Sequence, residues 1–477
     1  MALSFYWHDY ETWGADPSRD RPAQFAGVRT DTELNIVEKP LQLFCSPPSD
    51  CLPHPEACLV TGITPQQAQR EGVVEADFFR QIHARFSLPG TCGVGYNSIR
   101  FDDEVTRFGF YRNFLDPYAR EWRNGNSRWD IIDMVRLTHA LRPAGINWPL
   151  DEDGVASFRL ERLTAANGIE HAGAHDAMSD VHATIELARL VRRQQPRLFN
   201  YLLELRDKRR VAGLLDLAVQ QPVLHVSSMY AASRGCIAMV APLARHPVNS
   251  NGVLVFDLCQ DPEPLIQLEA EEIARRLFTR ADELPPGVER IPLKTVHLNK
   301  SPAVVPMSTL TEEAAERWSI DTALGERNLA RLRSAAGLTA KIQRVFGAPE
   351  RSVNVDPDQA LYSGGFFTPG DRKLMERVAS TASGELRRLQ TLPFADPRLP
   401  EMLFRYRARN WPGTLSAEES QRWERFRIGR LNDSEAGLTL AGYRRKLATL
   451  MVDPAMTEHQ RRLLSDLADW PQRIGLD

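Results

Sequence analysis

The sequence predicts three consecutive domains, of which the first is α/β, the second a small β-barrel and the third mostly α-helical. Its 477 residues are enough for about three domains of ordinary size. Strand-like and helical segments alternate over residues 1–195, β-rich segments dominate 196–348, and helical periodicity dominates 349–477. These three ranges are therefore the predicted domains.

The first domain begins with an apolar strand over residues 4–10. Two strand-like runs, 23–30 and 34–44, follow on either side of a polar turn at 31–33, which predicts an antiparallel hairpin. A buried strand is predicted at 91–96. The helices of this domain are predicted at 65–70, at 75–87, from Asp102 onward and at 177–193.

The second and third domains are predicted from the change of periodicity. Asn249-Ser250-Asn251-Gly252 is typical of a hairpin turn between two strands. The second domain combines strands at 222–227, 236–241, 252–258 and 291–297 with helices at 269–278 and 312–346. The third domain contains helices at 370–381, 416–430, 437–451 and 456–469.

Composition and charge exclude several classes of protein. With 43% hydrophobic and 25% charged residues and a net charge of −3, the chain is neither disordered nor rod-like, and its surface as a whole does not attract nucleic acid. No run of about eighteen apolar residues and no signal-peptide pattern is present, so we expect a cytoplasmic protein without a membrane anchor.

The six cysteines contain no C-x-x-C pair, so a disulfide framework is not expected. Cys51, His54 and Cys58 could supply three zinc ligands, but a fourth is not evident and two prolines flank the histidine. Packing in a loop is therefore the favoured interpretation of these three residues.

An acidic pair follows the first predicted strand. Side chains two residues apart in a strand point to the same side, which places the carboxylates of Asp9 and Glu11 about 7 Å apart. Two buried like charges repel each other, and a hard divalent cation such as Mg²⁺ or Mn²⁺ relieves that repulsion. In isolation, however, such a pair is more often a solvated strand end.

Two further segments carry candidate groups. Residues 102–104 are acidic and open a helix, where carboxylates often serve only as caps. Asp180 lies beside the apolar stripe of the helix at 177–193 and needs a partner. His175 precedes it and can accept a proton at neutral pH, although a lone histidine is more often a surface residue. Each element is weak, but the ordered set D-x-E, D and H-x-x-x-x-D is much more specific.

With this ordered set the sequence resembles the DEDD superfamily of 3′→5′ exonucleases, in its histidine subgroup, and within it the bacterial exonuclease I family. The similar segments extend over the whole chain and include HDYETWG, GYNSIRFDDEVTRFGFYRNF, NGIEHAGAHDAMSD and YRARNWPGTL. The resemblance implies a ribonuclease-H-like exonuclease domain with a mixed sheet flanked by helices, a barrel of the Src-homology-3 type and a helical C-terminal domain. It also implies a cytoplasmic monomer that digests single-stranded DNA processively from the 3′ end, releases 5′-mononucleotides and acts in DNA repair and recombination.

The resemblance further implies roles for individual residues. Asp9, Glu11, Asp102 and Asp180 would hold two Mg²⁺ ions, with Mn²⁺ as a substitute, and His175 would be the general base. Asp103 would be a neighbour of the ligands rather than a ligand. Residues 100–123 interleave basic and aromatic side chains, as grooves for single strands do. The residues implied to contact the DNA are Glu11, Thr12, Trp13, Arg107, Tyr118, Trp122, Arg136 and Arg159.

A protein partner is also implied by the resemblance. Members of the family bind the acidic C-terminal tail of single-stranded-DNA-binding protein on a basic patch. Arg142 and Tyr201 match positions of that patch, and Arg333 is a further candidate. Residues 302–312 contain no basic residue where the family often has one, so a reduced affinity is expected.

Three alternatives remain open from the sequence. A ribonuclease of the same superfamily shares the ligand set, but such enzymes are usually short single domains. A non-catalytic module that binds single strands would not need to retain all five catalytic residues. A purely structural α/β protein requires the ordered set of motifs to be a coincidence.

Overall fold

The computed structural model describes residues 3–171, 173, 175–347 and 356–476. The chain divides into two compact units. The first comprises Met1–Ser127, His171–Ile185 and Arg351–Asp477, and the second comprises Arg128–Glu170 and Glu186–Glu350. The two ends of the chain therefore build one unit, and most of the intervening segment builds the other.

The predicted strands and helices occur in the predicted order, and the described residues form further elements between them. The strands are β1 (Ser4–Thr12), β2 (Pro22–Thr30), β3 (Leu41–Phe44), β4 (Thr91–Gly95), β5 (Ser127–Asp130), β6 (Val223–Val226), β7 (Ile237–Arg245), β8 (Gly252–Asp257), β9 (Leu293–His297) and β10 (Val304–Pro306). The helices are α1 (Pro55–Thr61), α2 (Pro65–Glu71), α3 (Glu75–Phe86), α4 (Asp102–Arg112), α5 (Ile132–Leu141), α6 (Leu160–Ala166), α7 (Ala177–Gln194), α8 (Pro196–Glu204), α9 (Lys208–Leu214), α10 (Glu263–Gln267), α11 (Ala270–Phe278), α12 (Glu312–Arg317), α13 (Thr322–Ser334), α14 (Leu338–Val345), α15 (Pro369–Ser380), α16 (Arg398–Asn410), α17 (Ala417–Asn432), α18 (Leu440–Met451) and α19 (Glu458–Arg473).

The first unit contains a mixed sheet, as predicted. Its strands lie in the order β3-β2-β1-β4, with β1 antiparallel to β2 and parallel to β4. The predicted hairpin is confirmed because β2 and β3 pair antiparallel, but its second strand is shorter than 34–44. The carboxylate of Asp31 accepts hydrogen bonds from the backbone N–H groups of Glu33 and Asn35 at 2.9 and 2.8 Å, and this tight turn takes up residues that were assigned to the strand.

The second unit contains a five-stranded antiparallel sheet in the order β10-β6-β7-β8-β9. The predicted turn between β7 and β8 is confirmed: the N–H of Gly252 donates to the carbonyl of Asn249 at 2.8 Å. The long helix predicted at 312–346 is wrong, since α12, α13 and α14 replace it. Ser319 and Gly337 have positive φ values of 54° and 73° in the two breaks, and such a backbone conformation ends an α-helix.

Helix α16 was not predicted from the sequence. This helix buries Arg398, Arg405 and Arg407 together with its apolar residues. Because charged side chains occupy positions that face the interior, the apolar spacing of an amphipathic helix is interrupted. Such a helix is recognised only when the partners of its arginines are known.

The C-terminal helices of the first unit share a hydrophobic core with its N-terminal segment. Trp13 and Cys58 pack in one cluster with Tyr443 of α18 and with Leu464 and Trp470 of α19. These five residues are all buried. Burial of this much apolar and aromatic surface holds the two ends of the chain together.

Buried ion pairs join the same two segments. Arg409 of α16 donates to Asp50 at 2.8 Å and to Asp358 at 2.6 Å, and Arg405 donates to Asp358 at 3.1 Å. Burial alone would raise the pKa of Asp50, but the guanidinium of Arg409 and the charge of Arg430 lower it to about 2. The carboxylates are therefore ionised and depend on their arginines, because an unpaired buried charge is strongly destabilising.

We expect Arg409→Met to reduce the free energy of unfolding by about 3–5 kcal/mol, since it leaves two buried carboxylates without their main partner. Urea unfolding followed by circular dichroism measures this loss. The control is Arg462→Met, which removes an exposed pair with Glu458 and should have little effect. Equal losses in the two variants would contradict a special role of the buried pairs.

The low pKa of Asp50 also predicts how its contribution depends on pH. A carboxyl group whose pKa is lower in the folded protein stabilises it above the ordinary pKa of about 4, and this stabilisation is lost as the pH falls through about 2. The stability difference between the parent and Asp50→Asn should therefore shrink by about 1 kcal/mol between pH 6 and pH 3. A difference that is constant over this range would show that Asp50 is not ionised through its ion pairs.

Candidate active site

Strand β1 positions the first two candidate ligands. It pairs with β4 from Ser4 to Trp7 and continues beyond the end of β4. Asp9 and Glu11 therefore lie near the C-terminal end of β1. Both carboxylates are half-buried. A register irregularity between Glu11 and Thr12 marks the point at which the regular pairing with β2 ends.

Helix α4 brings a third carboxylate to this strand. Asp102 is its first residue, is 4% exposed and accepts a hydrogen bond from the backbone N–H of Tyr10 at 3.0 Å. Tyr10 separates the two carboxylates of β1, so Asp102 is anchored between them. The adjacent Asp103 is bound instead to Arg120, with the imidazole of His8 at 3.9 Å.

Helix α7 brings the fourth carboxylate. Ligand oxygens of Asp9, Glu11 and Asp180 all lie within 4.8 Å of one another. Asp102 is outside this group of three, although its charge acts on Asp9 and Glu11. Among the residues that the structure describes, these three form the one cluster of histidine, cysteine or acidic side chains close enough to hold a metal ion.

Other candidate ligands from the sequence lie elsewhere. None of the six cysteines, all of which lie within the described residues, forms a disulfide bond. The imidazole of His54 lies 3.6 Å from Asp20 rather than in a group with Cys51 and Cys58.

The carboxylate cluster has strongly shifted pKa values. Burial, followed by the charges of Asp102, Glu11 and Asp180, raises the pKa of Asp9 well above its usual range. Burial and the charges of Asp180 and Asp102 raise the pKa of Glu11 to about 9. A set of converging oxygen donors that resists ionisation fits a hard divalent cation, which reverses these shifts by supplying positive charge.

Two histidines lie in the segment that precedes α7 and Asp180. His175 is exposed and has a positive φ of 70°, just before α7. His171 is within hydrogen-bond distance of the Asp180 carboxylate, and the sequence analysis did not single it out. The sequence feature that could have identified His171 is the presence of a second histidine in the same short loop.

The residues expected next to the ligands are buried. The Thr12 hydroxyl donates to the carbonyl of Gly14 at 2.6 Å. Trp13 is 4% exposed and belongs to the hydrophobic cluster formed with α18 and α19. Its indole therefore connects the end of β1 to the C-terminal helices.

Arg107 lies in a network of side chains from the first unit. It makes a two-bond contact with Glu121 at 2.7 and 2.8 Å and further hydrogen bonds to Glu104 at 2.8 Å and to the Tyr362 hydroxyl at 3.0 Å. Its guanidinium lies 5.4 Å from the ring centroid of Tyr118. By contrast, Trp122 is 64% exposed, so its ring is available for stacking.

The remaining predicted contacts lie in the second unit. Arg136 donates to Asp133 at 2.7 Å, and Arg159 is exposed at the start of α6. Arg142 donates to the Thr309 carbonyl at 3.1 Å, and the Tyr201 hydroxyl donates to the Val304 carbonyl at 3.2 Å. The two residues of the predicted partner patch therefore both contact the segment 304–309, whereas Arg333 donates to the carbonyls of residues 219 and 220.

No helix of the described chain is both long and apolar enough to span a membrane.

Models of known protein families match most of the chain. Three family models match in succession: Exonuclease over residues 6–188, Exonuclease I SH3-like domain over 206–348 and Exonuclease I C-terminal domain over 355–474. These matches confirm the predicted succession of an exonuclease domain, a small SH3-like domain and a helical C-terminal domain.

Individual relatives are similar over their full length. Exodeoxyribonuclease I of Escherichia coli is 45% identical over 471 residues, which cover 99% of this chain and 98% of the relative. Exodeoxyribonuclease I of Haemophilus influenzae is 46% identical over 433 residues, or 91% of each chain.

Solved structures agree with this relationship. Exonuclease I from Methylocaldum szegediense superposes with a TM-score of 0.94 at 53% identity, covering 99% of this chain and 100% of that one. The E. coli exonuclease I complex with a dA16 oligonucleotide gives a TM-score of 0.94 at 45% identity with the same coverage. The chain therefore belongs to the exonuclease I family and is an exodeoxyribonuclease.

Proposed function

We propose that the protein removes nucleotides successively from the 3′ end of single-stranded DNA and releases 5′-mononucleotides. The observation that carries this proposal is the convergence of Asp9, Glu11 and Asp180 within 4.8 Å, with Asp102 hydrogen-bonded to the intervening Tyr10. These four carboxylates are proposed to hold two divalent ions. Mg²⁺ is the proposed ion in the cell and Mn²⁺ a substitute.

The solved structures of relatives support both single-stranded DNA as the substrate and a divalent metal ion in the site. Structures of E. coli exonuclease I contain dA16 or dT13 oligonucleotides, and one is a zinc-bound form of its complex with single-stranded DNA. A further structure of exonuclease I, at 45% identity to this chain, suggests how processivity is achieved. Processive digestion by a cytoplasmic monomer that acts in DNA repair and recombination is part of this proposal, as the resemblance stated above implies.

The metal ions and the protein side chains have different roles in the proposed hydrolysis. Divalent ions at such a site neutralise charge on the scissile phosphate and make water more acidic. The protein holds the carboxylates close together, and His175 accepts the proton of the attacking water. Glu11, Thr12 and Trp13 form the site of the terminal nucleotide, and Arg107, Tyr118, Trp122, Arg136 and Arg159 hold the preceding strand.

A protein partner is part of the proposal. The acidic C-terminal tail of single-stranded-DNA-binding protein is proposed to bind at Arg142 and Tyr201. Their contacts with the same short segment, 304–309, support a shared patch. The absence of basic residues from 302–312 is consistent with moderate affinity.

The decisive experiment is digestion of 5′-labelled single-stranded DNA, with matched RNA and duplex DNA for comparison, in Mg²⁺ and in chelator. We expect a ladder that shortens from the 3′ end of the DNA strand, only in Mg²⁺. Asp180→Asn and Asp102→Asn should retain the fold and lose nearly all activity, because each removes a ligand charge. Full activity of either variant, or equal digestion of RNA, would refute the corresponding part of the proposal.

Trp122→Ala is expected to weaken binding of single-stranded DNA by about 5-fold or more, since stacking of a base on an aromatic ring is worth about 1–3 kcal/mol. Fluorescence anisotropy in chelator measures binding without digestion. Trp122→Phe should recover most of the loss. The control is Phe278→Ala, which removes a similarly exposed ring, 63% exposed, from the second unit; a similar loss in this control would argue against specific stacking.

Arg142→Ala should weaken binding of a labelled acidic tail peptide by about 10-fold, because a charge-assisted hydrogen bond is lost. A titration at low salt measures the affinity, and raising the salt concentration should weaken the parent complex as well. Arg462→Ala, at an exposed position, is the control. Undiminished binding by the Arg142 variant would remove this residue from the patch.

A further inference from the structure

We propose that Gln24 is a positioning residue that sets the location of the Asp180 carboxylate through the first turn of α7. The inference rests on the proposed function, in which Asp180 is a metal ligand. Gln24 lies on β2 directly opposite Glu11 of β1, and it is 2% exposed. It is thus a buried polar side chain beside the carboxylate cluster that carries no assigned role.

The Gln24 amide uses both its donor and its acceptor on the start of α7. Its Nε2 donates to Asp176 Oδ1 at 2.9 Å, and its Oε1 accepts from the backbone N–H of Ala177 at 3.1 Å. The other oxygen of Asp176 accepts from the N–H of Ser179 at 3.2 Å, so this carboxylate caps the helix. One buried amide therefore binds β2 to the cap of α7.

Asp180 lies one turn beyond the capping residue. Its backbone N–H donates to the carbonyl of Asp176 at 3.0 Å, and residues four positions apart lie on the same face of a helix. A shift or rotation of this first turn consequently moves the carboxylate of Asp180. Because Gln24 faces Glu11 across the strand pair, it fixes the start of α7 relative to a second member of the cluster.

The side chain required at this position is specific. A glutamate could still accept from Ala177, but its second oxygen would face the oxygen of Asp176 and repel it. A leucine would leave the half-buried Asp176 carboxylate and the buried Ala177 N–H without this partner. Gln42 also donates to Asp176 Oδ1, at 3.3 Å, but it is exposed and makes no bond to α7 itself.

The experiment compares Gln24→Leu with the matched control Gln42→Leu. One measurement is the rise in Tm that Mn²⁺ produces without DNA, and the other is the Mg²⁺ concentration for half-maximal digestion at saturating DNA. Gln24→Leu should raise that concentration by about 10-fold or more, as changes to residues that orient metal ligands do, and should reduce the Mn²⁺ effect on Tm. The KM for DNA at saturating Mg²⁺ should stay within about twofold, and Gln42→Leu should resemble the parent in every measurement.

A purely structural role gives a different result. In that case Gln24→Leu lowers the Tm of the metal-free protein but leaves both responses to metal unchanged, and this outcome overturns the proposal. Asp180→Asn tests the underlying assignment separately. If Asp180→Asn also keeps the parent response to Mn²⁺, the proposed metal site itself fails; if it loses that response while Gln24→Leu keeps it, only the positioning role is wrong.

An exchange of donor and acceptor provides a second test that does not depend on the leucine variant folding. Gln24→Glu combined with Asp176→Asn preserves the net charge and reverses the direction of the hydrogen bond between the two side chains. We expect the double variant to recover most of the metal response lost in either single variant. A double variant no better than the single variants contradicts the proposal.

Discussion

Repulsion among carboxylates at the end of β1 is the constraint on which the candidate active site depends. Oxygens of Asp9, Glu11 and Asp180 are held within 4.8 Å of one another, and burial together with this repulsion raises the pKa of Asp9 and Glu11. Such a cluster gains stability from a cation or from protons, and it would spread apart on a flexible scaffold. It is therefore built on a central strand and two helices, whose backbone hydrogen bonds prevent that relaxation.

The C-terminal helices contribute to this rigidity from within the same unit. Trp13 follows Glu11 by two residues and is packed against α18 and α19, so movement at the end of β1 would disrupt a hydrophobic core. The ion pairs of Arg409 with Asp50 and Asp358 connect the same parts of the chain. Because buried ion pairs stabilise only when complete, they favour one arrangement of the two segments over displaced ones.

The sequence was sufficient for the parts of the site that have a local pattern. The spacing of Asp9 and Glu11 and the apolar stripe beside Asp180 predicted the carboxylates that converge, and family membership removes the structural, non-catalytic and ribonuclease alternatives. Gln24 was missed because its partner Asp176 is 152 positions away. The spacing of apolar residues along the sequence does not indicate a contact between such distant positions. The helix α16 was missed for a related reason, since its buried arginines are explained only by their carboxylate partners Asp358, Asp396 and Glu419.

Charge balance around the cluster also determines how it meets a nucleic acid. Arg107 is already bound to Glu104 and Glu121, so its positive charge is largely neutralised by the protein. A phosphate must therefore compete with two carboxylates for that guanidinium, and Asp9 and Glu11 offer it no positive charge. In the proposed function, the favourable charge for a terminal phosphate therefore comes mainly from cations bound at the cluster, and these electrostatics favour metal binding before the strand end is seated.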